Sequence, residues 1–175
     1  VIPIQYDDAG CMCDNIVAVE LNKKSGFIDN TGKIVIPIEY EDVLSFNEGL
    51  AAVKKNKKWS FIDKSGKQVI DYQFDDVRWF FDGVAAVKRG KYWGFIDKSG
   101  NEVIPFEYDD ALFFYEGLAP IKNFGRWGFI DKTGKEVIEC KYRFVSNFLN
   151  GIAKVYLRNG KSFYIDRNGT EYYQP

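Results

Sequence analysis

Apolar and polar positions alternate along most of this chain, in short runs broken by glycine. In Trp93-Gly94-Phe95-Ile96-Asp97, Trp93, Phe95 and Asp97 fall on one side of an extended chain and Gly94 and Ile96 on the other, which is the period-two pattern of a strand. The run ends in Asp97-Lys98-Ser99-Gly100. An Asp side chain there accepts from backbone N–H groups two or three residues on, and a Gly takes positive φ, so the four residues suit a type I turn closed by a glycine bulge. A second strand follows at Glu102-Val103-Ile104, with counterparts at Gln68-Val69-Ile70 and Glu136-Val137-Ile138.

The same run returns throughout. WGFIDKSG from Trp93 reappears as SGFIDNTG from Ser25, WSFIDKSG from Trp59, WGFIDKTG from Trp127 and SFYIDRNG from Ser162. Asp29, Asp63, Asp97 and Asp131 recur every 34 residues and Asp166 follows after 35, while Val1, Val35, Val69, Val103 and Val137 keep the step of 34. A fixed period of this length is the mark of tandem structural repeats. The chain therefore reads as one repeat domain over 1–175, with five repeats at about 1–34, 35–68, 69–102, 103–136 and 137–175.

Within one period, Phe74-Asp75-Asp76 leads into a short apolar run from Val77, and Asp82-Gly83 turns the chain. Val84-Ala85-Ala86-Val87-Lys88-Arg89 then reads as a strand apolar on both faces that becomes basic as it leaves the core. Gly90-Lys91 turns it into the Trp93 strand, and Pro105, like Pro3 and Pro37, is expected to end the strand that follows, having no N–H for the ladder. Each repeat is thus an antiparallel meander of three strands, with a short fourth expected around Val77 to Phe80.

A sheet apolar on both faces needs a neighbour on each side, so the fold class is all-β, with meander repeats stacked in an open solenoid-like array or closed as a five-bladed β-propeller. The ends favour the open array. The Trp of the inner copies (Trp59, Trp93, Trp127) is Ser25 in the first and Ser162 in the last, Met12 stands where Phe46, Phe80 and Phe114 stand, and the last copy carries Tyr172-Tyr173 in place of Val-Ile. Terminal repeats of an open stack must differ in this way, because one of their faces meets water.

Composition narrows the chemistry. Aromatic residues make up 17% of the chain, with 16 Gly and no His. The lack of His removes the commonest general base, the commonest zinc ligand and every His-containing triad. A net charge of −1 gives no overall pull toward nucleic acid or an anionic membrane. No apolar run approaches the roughly 18 residues of a membrane helix, so no membrane insertion is expected. The chain opens at Val1-Ile2-Pro3, inside a repeat and without a signal pattern, so upstream sequence is expected. Cys11, Cys13 and Cys140 are an odd set; Cys11-x-Cys13 supplies at most half of a zinc site, and small buried thiols are expected instead of a metal.

With KYWGFIDKSGNEVIP (Lys91 to Pro105) and EGLAPIKNFGRWGFIDKTGKEVI (Glu116 to Ile138), the chain resembles the bacterial WG repeat family, also called KWG repeats, over nearly its whole length. It departs where Ser60 replaces the Gly of the pair and where Ser25 and Ser162 replace the Trp. The resemblance implies a non-catalytic repeat module with no catalytic residues to carry over and no cofactor.

Several residue sets carry candidate chemistry. The recurring Asp residues (Asp63, Asp97 and Asp131 in the inner copies) resemble catalytic carboxylates, but each stands beside a turn glycine and reads as a turn cap. The acidic pairs Asp7-Asp8, Glu41-Asp42, Asp75-Asp76 and Asp109-Asp110 would line up along a stack, yet they lack the loop pattern that holds calcium, and the last repeat has Arg143-Phe144 there. The basic turns at Lys54, Lys55, Lys57, Lys58 and at Lys88, Arg89, Lys91 fall on the same edge as these acids if a fourth strand exists, so no single-sign stripe forms for nucleic acid. A glycosidase would need two acids roughly 5 to 10 Å apart in a cleft, and the spacing picks out no such pair. The most individual feature is aromatic excess: Arg78-Trp79-Phe80-Phe81 and Leu112-Phe113-Phe114-Tyr115. Phe80 and Phe114 match a shared core position, whereas Trp79, Phe81, Phe113 and Tyr115, with Arg78 beside them, form either a ridge that anchors a protein partner or stacks on carbohydrate, or a wedge between sheets.

Overall fold

The computed structural model describes residues 5–13 and 15–173, without the side chain of Cys11. Every regular element among these residues is a strand, and the strands form five four-stranded antiparallel sheets, each a simple meander. The first sheet is β1 (Asp8–Cys13), β2 (Ile16–Leu21), β3 (Lys24–Asp29) and β4 (Ile34–Tyr40). The second is β5 (Asp42–Val43), β6 (Leu50–Lys55), β7 (Lys58–Asp63) and β8 (Gln68–Phe74). The third is β9 (Asp76–Val77), β10 (Val84–Arg89), β11 (Tyr92–Asp97) and β12 (Glu102–Tyr108), and the fourth is β13 (Asp110–Ala111), β14 (Leu118–Asn123), β15 (Arg126–Asp131) and β16 (Glu136–Tyr142). The fifth is β17 (Phe144–Val145), β18 (Ile152–Tyr156), β19 (Ser162–Asp166) and β20 (Glu171–Tyr172). A sheet thus begins at the acidic pair, and residues 35–40, which open a repeat in the sequence, close the sheet before it.

The short fourth strand exists, but it spans Asp76–Val77 and stops before Phe80. Phe80 leaves the ladder because its ring packs edge-on against Phe61 of the preceding sheet, 4.9 Å between centroids. The same contact joins every pair of neighbours: Phe27 to Phe46, Phe95 to Phe114, and Phe129 to Phe148. The apolar clusters follow suit. One joins Trp59, Phe61, Ile70 and Phe74 of the second sheet to Val77, Phe80, Ala85, Val87 and Ile96 of the third, and equivalent clusters occupy the other three junctions. Both faces of β10 and β11 are buried from Ala85 to Val87 and from Trp93 to Ile96, as stacking requires.

Among the described residues no apolar cluster, hydrogen bond, ion pair or ring contact joins the first sheet to the fifth. The fifth sheet buries Ala153, Val155, Phe163 and Ile165 against the fourth. Its other face pairs Lys154 with Tyr164 where the third sheet pairs Ala86 with Phe95. A lysine and a tyrosine hydroxyl in place of alanine and phenylalanine suit a face met by water.

Proline behaves differently from expectation. β12 runs through Pro105, and β4 runs through Pro37; Pro3 lies outside the described residues. The register explains it: Trp93 pairs with Tyr108 and Phe95 with Ile104, so Pro105, Phe106 and Glu107 bulge opposite Gly94 alone. On an edge strand a bulge needs no proline N–H. The bulge also accounts for the recurring glycine. A Cβ on Gly94 would lie 2.8 Å from Ile104 O and 3.0 Å from Phe106 N, and one on Gly128 would meet Ile138 O and Cys140 N. In the second sheet Ser60 occupies this place fully buried, and its hydroxyl donates to Ile70 O at 2.5 Å, turning the close approach into a hydrogen bond.

Gly94→Ala forces the bulge backbone to move and is expected to lower the unfolding free energy by about 1–3 kcal/mol, the usual range for overpacking. Ser60→Ala removes a buried hydrogen bond and is expected to cost about 1 kcal/mol. Chemical denaturation of both variants checks this. A Gly94→Ala protein as stable as the parent would contradict the close approach.

Candidate functional site

After each short first strand the chain leaves the ladder for three residues and returns at an isolated bridge: Asn47 to Leu50, Phe81 to Val84, Tyr115 to Leu118 and Leu149 to Ile152. The last residue of each excursion is the buried Phe46, Phe80, Phe114 or Phe148. Alternation then turns its neighbours outward, which brings Asn47, Trp79, Phe81, Phe113, Tyr115 and Leu149 into one band across four sheets. Trp79 and Tyr115 are 38% and 37% exposed, and Leu149 is 60% exposed. Phe81 and Phe113 are half-buried because they stack on each other, 5.0 Å apart and 26° from parallel, with Tyr115 at 6.3 Å from Phe81. The wedge and the ridge therefore coexist: two rings pack together and two stay open.

Two hollows flank the stacked pair. One, of about 350 Å³, is lined by Cys13, Ser45, Phe46, Asn47, Trp79 and Phe81. The other, of about 330 Å³, is lined by Phe113, Tyr115, Ser146, Asn147, Phe148 and Leu149. Both lie at the low end of the 300–1,000 Å³ typical of small-ligand pockets.

Arg78 does not join this band. Its guanidinium lies 4.8 Å over the Trp93 ring, its Nε donates to Ala111 O at 3.4 Å, and Nη2 reaches Asp110 Oδ1 at 3.5 Å. It bridges the third and fourth sheets. Trp59, Trp93 and Trp127 are buried at the junctions, between 3% and 6% exposed, and serve packing.

The charged candidates are engaged in turns. Asp63 Oδ1 accepts from Ser65 N, Ser65 Oγ and Lys67 N at 2.8, 2.6 and 3.0 Å. Asp97 Oδ1 accepts from Ser99 N and Asn101 N, and Asp131 Oδ1 from Thr133 N, Thr133 Oγ1 and Lys135 N. These donors favour the ionised form, so the Ser65 hydroxyl holds Asp63 below the usual aspartate range, the Asn101 side chain does the same for Asp97 and the Thr133 hydroxyl for Asp131. Asp29 and Asp166 are lowered by the same kind of turn. The first members of the acidic pairs cap hairpins in their own sheet: Asp75 Oδ2 accepts from Gly90 N at 2.7 Å and Asp109 Oδ2 from Gly125 N at 2.9 Å. The basic turns and the acids thus share one edge.

A second set of contacts has no counterpart in local sequence reading. The hairpin turns Glu48-Gly49, Asp82-Gly83, Glu116-Gly117 and Asn150-Gly151 have positive φ at both residues, the geometry of a type I′ turn. Glu48 reaches across to accept from Asp82 N and Gly83 N at 2.7 and 3.0 Å, and Glu116 does the same to Asn150 N and Gly151 N. Lys98 pairs with Glu48 at 3.1 Å, Lys132 with Asp82 at 2.9 Å and Arg167 with Glu116 at 2.8 Å. The partners are one full repeat or more apart. The outward column Asn47, Phe81, Tyr115, Leu149, by contrast, was open to reading, since its members share one register position.

Of the thiols, Cys140 is half-buried, and burial pushes it up to about 12, far from the range of a reactive thiolate. Cys13 is free and half-buried, and the Cys11 side chain lies outside the described residues.

A sequence model described as WG containing repeat matches residues 26–59, 59–93, 93–125 and 127–161. No curated protein matches the chain. Among solved structures, the computationally designed Ika8 protein is similar at a TM-score of 0.63 and 12% identity, over 93% of this chain and 59% of that one. A eukaryotic initiation factor matches at 0.65 and 14%, over 97% and 54%, and BamB from Moraxella catarrhalis at 0.60 and 12%, over 93% and 58%. The chain spans more than half but less than two-thirds of the length of these structures, and at such identities the likeness shows the fold alone.

The lowered carboxylates fix the sign of the acid response. A group whose folded pKa lies below its unfolded value adds stability above the unfolded value and loses it as pH falls through the folded one. Thermal melts are therefore expected to fall progressively once pH drops below the ordinary aspartate value of 3.8. Asp63→Ala is expected to melt lower than the parent at pH 7 and to have a shallower acid limb. Equal limbs for variant and parent would show that the turn caps are not the titrating groups.

Proposed function

The chain belongs to the family of WG containing repeats, and from that premise we propose that it is a non-catalytic scaffold whose aromatic band anchors a protein partner. One observation carries this reading. Trp79 and Tyr115 stay open beside two hollows, while the carboxylates and most cations around them are spent on turns and on neighbouring sheets. An exposed aromatic anchor next to an apolar recess is what a protein interface buries at its centre. The recurring aspartates Asp63, Asp97 and Asp131 have their pKa values lowered by turn donors, which speaks for turn caps rather than a raised-pKa acid at these positions. The basic turns lie among acid caps, which argues against nucleic acid as the partner.

A second reading, carbohydrate binding, draws on the first hollow, where Ser45 and Asn47 stand beside the Trp79 ring. A flat ring with polar groups at its rim is the arrangement on which a sugar stacks.

Panning a displayed peptide library against the parent and against a Trp79→Ser, Tyr115→Ser double variant separates these outcomes. The parent is expected to enrich peptides with aromatic or large aliphatic residues, and the double variant to bind them on the order of tenfold or more weakly, as loss of two anchor residues implies. Peptides held equally by both proteins would count against the band. A glycan array signal lost in Trp79→Ser alone, with no peptide enrichment, would transfer the site to carbohydrate.

A further inference from the structure

The junction between the fourth and fifth sheets differs from that between the third and fourth in three places, and two of these, Arg143 and Phe144, differ from the second–third junction as well, where Asp75 and Asp76 stand. Between the third and fourth sheets, Arg78 covers Trp93, and its guanidinium ties Trp93 to Ala111 O and Asp110. One repeat on, Leu112 stands in place of Arg78, Phe144 in place of Asp110 and Arg143 in place of Asp109. No guanidinium covers Trp127, and no carboxylate caps the turn beside it. A cavity of about 520 Å³ opens there, lined by Lys122, Trp127, Arg143, Phe144, Tyr156, Leu157 and Gly160.

The walls define a ligand. Trp127 lies at the floor, Phe144 stands edge-on to it at 6.2 Å, and Tyr156 lies 5.9 Å from Phe144. Phe144 is 50% exposed although it sits among rings, so an apolar surface remains uncovered. Lys122 rests 6.0 Å over the Trp127 ring. Among the described residues neither Lys122 nor Arg143 has an ion-pair partner. The nearby acids are committed elsewhere, Asp109 to Gly125 N and Asp110 to Arg78. The adjoining turn adds the exposed Arg158 and Lys161. Everywhere else along this edge the basic residues alternate with acids, and here the acids are missing.

We propose that this cavity binds a flat ring carrying an oxyanion, with the ring against Trp127, Phe144 and Tyr156 and the oxyanion between Lys122 and Arg143. Leu112 packs against the cluster that holds Trp127, so the ring enters from the side of Phe144 and Tyr156 and meets the indole where the cavity opens on it. Charge-assisted hydrogen bonds from an ammonium and a guanidinium suit a carboxylate or a phosphate. The site is separate from the aromatic band and stands or falls independently of it.

Titration of the ¹⁵N-labelled full chain with phenylacetate and with phenyl phosphate, followed at the Trp127 indole N–H and the Leu157 and Gly160 amides, tests this. Saturable shifts confined to these signals are expected, and the tighter of the two compounds tells which oxyanion the site prefers. Phenylacetamide and inorganic phosphate are each expected to bind at least about tenfold more weakly, one lacking the charge and the other the ring. Arg143→Asp restores the residue type found in the third and fourth repeats, so it is expected to keep its melting temperature and lose at least about tenfold in affinity, with steep weakening by salt in the parent. Leu112→Arg supplies the missing plug and is expected to abolish the shifts. Phenylacetamide or inorganic phosphate binding as tightly as the ring anions would overturn the proposal. So would an Arg143→Asp protein that binds unchanged, or an absence of shifts at millimolar ligand.

Discussion

The inner sheets of this protein are apolar on both sides, and the stability of each of the first four sheets rests on the phenylalanine that the next sheet lends to it. Phe46, Phe80, Phe114 and Phe148 leave their own strands to lie against Phe27, Phe61, Phe95 and Phe129 of the sheet before. Burying such a ring is worth roughly 1.5–3 kcal/mol, and the tilted ring pair adds roughly 0.5–1.5 kcal/mol. Other features follow from this seating. The short first strand stops after two residues because the chain must turn inward to deliver the ring. The last strand bulges over Gly94 or Ser60 because the sheet carries its tryptophan and its phenylalanine on either side of that point.

The electrostatics are subordinate to the stack. Aspartates at the ends of the third strands saturate their turns, and Glu48 and Glu116 reach over to hold the backbone of the following turn. Surface ion pairs contribute little singly, but here each pair closes on a turn already fixed by positive φ, so the geometry is set before the charges meet. What remains for recognition is the set of positions the stack does not use. The outward band from Asn47 to Leu149 is one such set, and its residue types vary from repeat to repeat while the buried phenylalanine between them does not.

Strand, turn and period were legible in the sequence because they depend on neighbours within a few residues: the alternation at Trp93 to Asp97, the Asp-x-x-Gly turns and the step of 34. The stacking of the sheets was legible too, from the double-faced Val84 to Val87 run. Two things were not. Pro105 was expected to end a strand, and only the register with Gly94 reveals a bulge that tolerates it. Arg78 was grouped with the exposed aromatics because it adjoins Trp79, whereas its guanidinium is spent on Asp110, 32 residues away. The fate of a long side chain depends on what the neighbouring sheet presents, and that is invisible from within one repeat.

Every core cluster spanning two sheets joins adjacent ones. Cohesion is therefore local, as in a row of coupled elements whose total is a sum over units and nearest-neighbour junctions. The third sheet is packed on both sides, while among the described residues no other sheet packs on the face of the fifth that carries Lys154 and Tyr164. Under mechanical load such a row would come apart one sheet at a time, so the force at each step is set by a single junction while the work of pulling the whole row apart grows with the number of sheets.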